Sequence, residues 1–346
     1  MDTPRRQKAA TLKEVALLAG VSRSAVSRTF TDGASVSKKT RAKVLHACKQ
    51  LGYRPNVIAR TLVTRRSRII AIVVSYLENQ FYPLFIQIAS QLLQNHGYHV
   101  LLFVGDVHGK VDQDVDTLVL ELMQYQVDGI ILASVPLSSE LAHECFSAGI
   151  PVVLFNRVAP VPQGVFSVSS DNLEGGRLVA RFLLERGYRR PAYLAGIKDS
   201  STNRDREAGF LEELSRSGVA LFRRAAGNYS ADGATTAARE LFGGAEMPDS
   251  VFVANDHMAF AAIDCLRLDL GLRIPEDVGV VGFDNVPQAA WGGYRLTTIE
   301  QNIQEMTAAA VKVLLGNLSG SHNDTLRQIV TPVRLIERAT TVYRQS

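Results

Sequence analysis

From Ile69 onward the chain alternates short apolar runs, rich in β-branched residues, with amphipathic stretches of helical period. Ile69–Val74, His99–Val104, Gly129–Ala133 and Val152–Phe155 read as strands, and the spacing predicts helices such as 85–96 and 118–125 between them. The pattern returns at 192–195, 251–254 and 278–283. Strands separated by helices run parallel, because each crossover brings the chain back to the same end of the sheet, and the helices then cover both faces. Two rounds imply two lobes with a cleft between them, and in such sheets ligands bind beyond the carboxyl ends of the strands. The residues at those ends are polar or aromatic. Asn79, Phe81 and Tyr82 follow the first strand, Asn156 and Arg157 the fourth, Asp171 a fifth, Asn255 and Asp256 a later one, and Asp284 the last. Carboxylates and amides exchange hydrogen bonds with hydroxyl groups while an aromatic face stacks on an apolar one, which suits a polyhydroxylated ligand. Any single one of these residues equally suits a turn or a helix cap. As a set they favour a binding cleft.

The first 68 residues are built differently. They hold 16 Lys and Arg against three acids, a net +13, whereas the remainder holds 22 bases against 31 acids, a net −9. A basic head on an acidic body fits a small domain that meets a polyanion while the rest does not. Thr11 precedes the apolar stripe Leu12, Val15, Ala16 and Ala19, and Glu14 completes a capping box. Gly20 ends that helix, and Ser22 caps a second one running to about Phe30. Two helices joined by a tight turn with Gly form a helix-turn-helix. With Val21, Ala25 and Val26 facing inward, Arg23, Ser24, Ser27 and Arg28 share the outer face. That is the composition of a DNA-reading helix: Arg bonds guanine O6 and N7 bidentately, and Ser takes base edges or phosphates. Ser37 caps a third helix whose Val44, Leu45, Cys48 and Leu51 are expected to close the core. Its Lys38, Lys39, Arg41 and Lys43 suit phosphate contacts, or solubility alone. Asn56, after Pro55, opens a helical segment to Leu62 that is too short to be stable by itself, so it is expected to be largely unfolded when free.

The run from Thr11 to Leu62 carries the patterns VA-x-x-AGVS-x-x-x-VSR, VS-x-x-T-x-x-KV and LGY-x-PN-x-x-A-x-x-L. It resembles the DNA-binding head and hinge of the lac repressor (LacI/GalR) family, without insertion or deletion. The resemblance puts Arg23, Ser24 and Arg28 where that family reads bases in the major groove, and Thr11, Ser22 and Ser35 where it touches the DNA backbone. Lys39 is the lysine expected on phosphate. Asn56, Ala59, Arg60 and Leu62 belong to the hinge that enters the minor groove, with Leu62 as the wedge that opens a central base step. The body resembles the periplasmic-binding-protein-like effector domain of the same family through DGIILAS, PVVLFNR, SSDNLEGG, VANDHMAFAAI, VGVVGFDN, LTTIEQN and the trio Arg206, Gly209 and Phe210. Effector contacts are thereby implied at Asn156, Arg206, Tyr229, Asn255, Asp284 and Gln301, beside Asn79, Phe81 and Tyr82. The first loop departs from the family in having Gln80 where many members have Pro, and Tyr229 stands where some have Trp, which leaves the effector's identity open.

The fold implied is a small all-α helix-turn-helix head over residues 1–55, a hinge helix and linker over 56–68, and an α/β body over 69–346 made of two doubly wound parallel-sheet lobes. The N-lobe is expected over about 69–165 plus 297–325 and the C-lobe over about 166–296 plus 326–341, with three crossings between them. The family resemblance implies a cytoplasmic, nucleoid-associated repressor. It binds a pseudo-palindromic double-stranded DNA operator as a homodimer, and a small sugar-like effector acts on it as inducer or corepressor. Because the sequence ends at Ser346 without a leucine heptad, a dimer rather than a tetramer is expected.

Other classes fare poorly. Arg5, Arg6 and Lys8 ahead of the apolar stretch up to Val21 mimic a signal peptide, but Lys13 and Glu14 interrupt it. No apolar run is long enough to cross a bilayer. Cys48, Cys145 and Cys265 are widely separated and form no Cys-x-x-Cys pair, so neither a disulfide framework nor a metal site is indicated. There is no phosphate-loop pattern, no Gly-x-Ser-x-Gly and no His-Glu-x-x-His, so no catalytic residue, metal or cofactor is expected. His257 reads as a surface residue at a helix start rather than a catalytic one. A secreted sugar-binding protein would account for the body but not for the head, and a body that answers to another protein stays open.

Overall fold

The computed structural model describes residues 10–30, 34–54, 66–105, 115–135, 137–158, 164–320 and 327–344. It separates the chain into a unit ending at Ser67 and a second running from Arg68.

In the first unit, α1 (Leu12–Ala19) starts at the capping box: Thr11 Oγ1 accepts from Glu14 N–H at 3.4 Å and Thr11 N–H donates to Glu14 Oε2 at 2.6 Å. Gly20 ends the helix at φ 63°, a left-handed conformation that glycine adopts without steric cost. Ser22 caps α2 (Arg23–Thr29) and Ser37 caps α3 (Lys38–Leu51), each accepting the backbone N–H three residues on. Val15, Ala16, Ala19, Val26, Val44, Ala47 and Cys48 form the core. Two residues expected there are absent from it: Leu45 is 48% exposed and Leu51 36% exposed. The inner stripe of α3 is Val44, Ala47 and Cys48, which leaves Leu45 one position off the packed face. Leu51 lies in the last turn of a 14-residue helix, beyond the reach of partners of eight and seven residues. Thr29 was not expected inside, and it is buried by turning its hydroxyl onto Ala25 O at 2.8 Å.

The second unit holds two six-stranded sheets. The first is formed by β1 (Ile69–Val74), β2 (His99–Val104), β3 (Gly129–Ala133), β4 (Val152–Phe155), β5 (Val165–Ser170) and β11 (Gln328–Thr331), in the order β11-β5-β4-β3-β1-β2, all parallel. The second contains β6 (Pro191–Ala195), β7 (Arg223–Ala226), β8 (Ser250–Val253), β9 (Gly279–Asp284), β10 (Thr297–Gln301) and β12 (Val333–Ile336), in the order β12-β10-β9-β8-β6-β7, with only β10 and β12 antiparallel. Helices α4 (Phe81–Asn95), α5 (Val115–Gln124), α6 (Ser139–Ser147) and α11 (Ile303–Leu318) accompany the first sheet. Helices α7 (Asn172–Glu185), α8 (Ser201–Arg216), α9 (Ala231–Phe242) and α10 (Asp256–Asp264) accompany the second. Central strands β3, β4, β6, β8 and β9 are buried throughout, as apolar runs covered on both faces must be.

The chain crosses between the lobes after Ser170, Gln301 and Thr331. This corrects the expected cuts near 165, 296 and 325, each of which falls at or just before the start of a strand that completes the sheet of the lobe being left. The chain departs from the carboxyl end of a finished strand, so β5, β10 and β11 stay with the sheet whose hydrogen bonds they satisfy.

A pair of glycines sets the spacing in the C-lobe. A Cβ on Gly176 of α7 would lie 2.1 Å from Arg206 O, and one on Gly209 of α8 would lie 1.9 Å from Leu173 O. The two helices touch backbone to backbone there, which draws Arg206 into the protein interior.

Candidate ligand cleft and nucleic-acid interface

Arg206 is the anchor of the cleft. Its side chain is 2% exposed, its Nε donates to Asn172 Oδ1 at 2.8 Å and its Nη1 to Ala254 O at 2.5 Å, and the guanidinium lies 3.6 Å over the Phe283 ring. The remaining nitrogen, Nη2, makes no hydrogen bond among the described residues and stands 3.7 Å from Asp284 Oδ1. Asp284, at the end of β9, accepts from Gln301 Nε2 at 2.6 Å and, across the lobes, from Asn79 Nδ2 at 3.3 Å. Burial raises the Asp284 carboxyl above the usual carboxylate range, while the Arg206 charge and the Asn79 and Gln301 hydrogen bonds pull it back. Further contacts tie the lobes together: Ser170 Oγ donates to Gln301 Oε1 at 2.6 Å, Val158 N–H donates to Ser201 Oγ at 3.0 Å, and His257 Nε2 lies 4.0 Å from Glu78 Oε2.

Tyr229 follows β7 with φ 61°; its hydroxyl shares hydrogen bonds with Ser200 and Thr202 at 3.3 and 3.1 Å. Gly196 makes room for this ring, since a Cβ there would lie 2.2 Å from it. On the N-lobe side, Asn79 Oδ1 accepts from Phe81 N–H at 3.1 Å, Tyr82 stands edge-on to Tyr76 at 5.5 Å, and Asn156 buries an Oδ1 with no hydrogen-bond partner among the described residues. Burial pushes the Tyr82 hydroxyl up against hydrogen bonds from Ser134 and Asn156 that lower it. Ser134, Asn156, Asn228, Tyr229, Asp284 and Asn285 all have positive φ, and each lies at the end of a strand or just past it. Such backbone costs roughly 1–3 kcal/mol per residue and gathers where a site dictates it.

Asn79, Tyr82, Asn156, Arg206, Tyr229, Asp284 and Gln301 thus meet where the lobes face each other. Phe81 is drawn mainly into the N-lobe core, stacked against Phe155, and also borders a cavity of about 240 Å³ with Asp284, Gln301 and Ile303. Asn255 caps α10 and Asp171 caps α7, the local role open to any polar residue after a strand. Nothing in the sequence marks Asn172, Ser134 or Asn203 as part of the cleft. Asn203 Oδ1 accepts from Gly196 N–H at 2.7 Å and from the Tyr193 hydroxyl at 3.0 Å, fixing the turn beneath Tyr229. Its signal in the sequence is only an Asn in the first turn of a helix.

In the head unit, Arg23, Ser24, Ser27 and Arg28 lie exposed along α2 while Val26 and Thr29 point inward. Ser22 Oγ, besides capping, sits 2.9 Å from Ser24 Oγ. Thr11, Ser35 and Lys39 are exposed. Asn56, Ala59, Arg60 and Leu62 lie outside the described residues. Among the described residues, no group of His, Cys, Asp and Glu could hold a metal ion, and no helix is long and apolar enough to cross a membrane.

Residues 11–56 match the family described as bacterial regulatory proteins, lacI family, and residues 180–341 match the periplasmic binding protein-like domain. Over 99% of both chains, this one is 34% identical to the HTH-type transcriptional regulator CelR of Thermobifida fusca. The chain belongs to the lacI family of bacterial regulatory proteins. Within that family it is 33% identical to the ribose operon repressor of Bacillus subtilis, over 89% of this chain and 91% of that one. Among solved structures, a lac repressor dimer bound to operator and the anti-inducer ONPF superposes with a TM-score of 0.84 at 28% identity, covering 97% of this chain and all of that one. A CelR–cellobiose complex gives 0.71 at 32% identity, covering 96% and 99%.

Proposed function

We propose that this lacI-family chain is a cytoplasmic repressor rather than an enzyme, which binds a pseudo-palindromic operator as a homodimer under the control of a small, polyhydroxylated effector held between the lobes. The observation that carries the effector reading is the polar chain Asn79–Asp284–Gln301 beside Arg206: it spans both lobes and includes a buried guanidinium N–H with no acceptor. A ligand hydroxyl can accept from Arg206 Nη2 and donate to Asn156 Oδ1, which supplies what each of these buried atoms lacks, and Asp284 can accept a further hydroxyl. The CelR–cellobiose complex supports a sugar, and the operator-bound lac repressor dimer supports two heads on one two-fold site. On the head, Arg23, Ser24 and Arg28 read bases, Thr11, Ser22, Ser35 and Lys39 hold the backbone, and Asn56, Ala59, Arg60 and Leu62 enter the minor groove.

The test is a thermal-shift screen of the full chain against cellobiose, galactose, ribose, sugar acids, sugar phosphates and purines, followed by operator binding with each hit. A ligand at about a hundred times its Kd stabilises the fold by about 2.7 kcal/mol. One sugar should give that shift, lose it in Asp284→Ala, and change operator affinity, downward for an inducer and upward for a corepressor. A stabilising ligand that leaves operator affinity unchanged would overturn the proposal.

A further inference from the structure

Asp256, the first residue of α10, faces into the C-lobe, and both of its oxygens are spent there. Its Oδ2 accepts from Val286 N–H at 3.0 Å, and its Oδ1 lies 2.6 Å from Thr298 Oγ1. Gly282 on β9 leaves the space for it, since a Cβ there would stand 2.3 Å from Asp256 Oδ1. The carboxyl therefore joins three elements: the start of α10, the segment after β9, and β10. The segment it grips carries Asp284 at φ 128° and Asn285 at φ 56°, conformations that need an anchor at the far end. That far end is Val286. Its side chain belongs to the apolar cluster of the N-lobe with Phe81 and Tyr82, although its backbone belongs to the C-lobe. The same grip thus aims Asp284 at the cleft and seats Val286 in the opposite lobe.

We propose that Asp256 is the positioning residue of the effector response, holding Asp284 and Val286 in register with the N-lobe through the backbone it clamps. This rests on the reading that Asp284 faces the effector. Asp256 performs the role through its two carboxyl oxygens, one on each neighbouring element. Thr298 Oγ1 donates to its Oδ1 at 2.6 Å while its Oδ2 accepts from the Val286 N–H at 3.0 Å. Burial first, and then the negative charge of Asp284, hold the Asp256 carboxyl well above the carboxylate range, against the Thr298 and Val286 hydrogen bonds and the Arg338 charge. The charged or titratable groups that face it are Asp284 at the end of β9 and Arg338 beyond β12, with His257 next to it on its own helix. An asparagine keeps both links, with Oδ1 accepting from the Val286 N–H and Nδ2 donating to a Thr298 hydroxyl that turns to offer its oxygen.

The experiment is amide hydrogen exchange by mass spectrometry on the full chain, free of ligand and DNA, comparing wild type, Asp256→Ala and Asp256→Asn. Loss of one buried hydrogen bond should speed exchange in the peptide over residues 279–290 about tenfold in Asp256→Ala, while Asp256→Asn stays near wild type and strand 191–195 is unaffected in both. Unchanged exchange at 279–290 in Asp256→Ala, or equal acceleration in Asp256→Asn, would overturn the proposal. If Asp256→Ala does not fold, the pH profile of Asp256→Asn decides. A carboxyl raised in the folded state contributes stability that is present at low pH and is lost as pH rises through its folded value. The wild-type unfolding midpoint should therefore fall more than that of Asp256→Asn between about pH 5 and about pH 8. Parallel profiles would mean that the Asp256 carboxyl is not held buried between α10, Val286 and β10, and would overturn the proposal. Because these readouts use no ligand, they stand or fall separately from the loss of ligand stabilisation in Asp284→Ala.

Discussion

Arg206 and Asp284 show how the cleft trades stability for chemistry. Both are almost wholly buried, at 2% and 3% side-chain exposure, and they sit 3.7 Å apart without a direct hydrogen bond. Each is therefore held mainly by other partners and keeps capacity for a ligand. Removing one member of a buried pair leaves the other uncompensated, at a cost of about 3–5 kcal/mol. Arg206→Ala should lose that much in urea unfolding near pH 8, where Asp284 is ionised. It should lose less near pH 5, because protonation of Asp284 removes the charge that Arg206 offsets. A loss independent of pH would mean that the Asn172 and Ala254 bonds, rather than the charge, dominate. In the head, Ser37→Ala removes the cap of α3 and should lower stability by about 1 kcal/mol, read from the thermal unfolding of a fragment spanning the head.

At the scale of elements, the α7–α8 contact makes the clearest prediction. Gly176→Ala must separate two backbones and should cost about 1–3 kcal/mol by the usual price of overpacking, with weaker effector binding because Arg206 rides on α8. Gly316→Ala, in the last turn of α11 with open space around it, should be neutral or stabilise by up to about 1 kcal/mol. Chemical denaturation of the two variants side by side checks both. The elements themselves were unevenly legible. Strands β1 to β4 match their expected runs residue for residue: β1, β3 and β4 because parallel strands covered on both faces leave no position for a polar side chain, and the half-exposed edge strand β2 because its run is also apolar after His99. The other edge strands were less visible: β7 reads Arg-Arg-Ala-Ala, and β11 and β12 are half exposed, so no apolar run marks them. Helix α4 begins four residues earlier than its period suggested, because the turn at Asn79 folds Phe81 and Tyr82 into its first turn. Polar residues after strands pointed to the cleft as a place. Which of them cap helices, as Asn255 does, and which stay available, as Asn156 Oδ1 does, depends on neighbours distant in sequence.

For the molecule as a whole, charge and coupling are the governing quantities. The basic head should make operator affinity fall steeply with salt, with a log–log slope of about −0.9 per phosphate neutralised. Lys39→Ala should flatten that slope by about one unit on any sequence, whereas Arg23→Ala should relax base preference at a single half-site position. Fluorescence anisotropy over a salt series distinguishes the two. Linkage adds a reciprocal expectation: whatever factor the effector applies to operator affinity, the operator must apply to effector affinity. Calorimetric titration of the effector with and without operator measures it.

The three crossings after Ser170, Gln301 and Thr331 bear on how such a protein is rebuilt. A head can be exchanged at one junction near Ser67, since the two units divide there. A lobe cannot, because transplanting it means joining the chain at three places at once, beside the residues that face the cleft. Chimaeras that mix heads and bodies are therefore accessible by a single fusion, while new ligand specificities have to come from substitutions within an intact body.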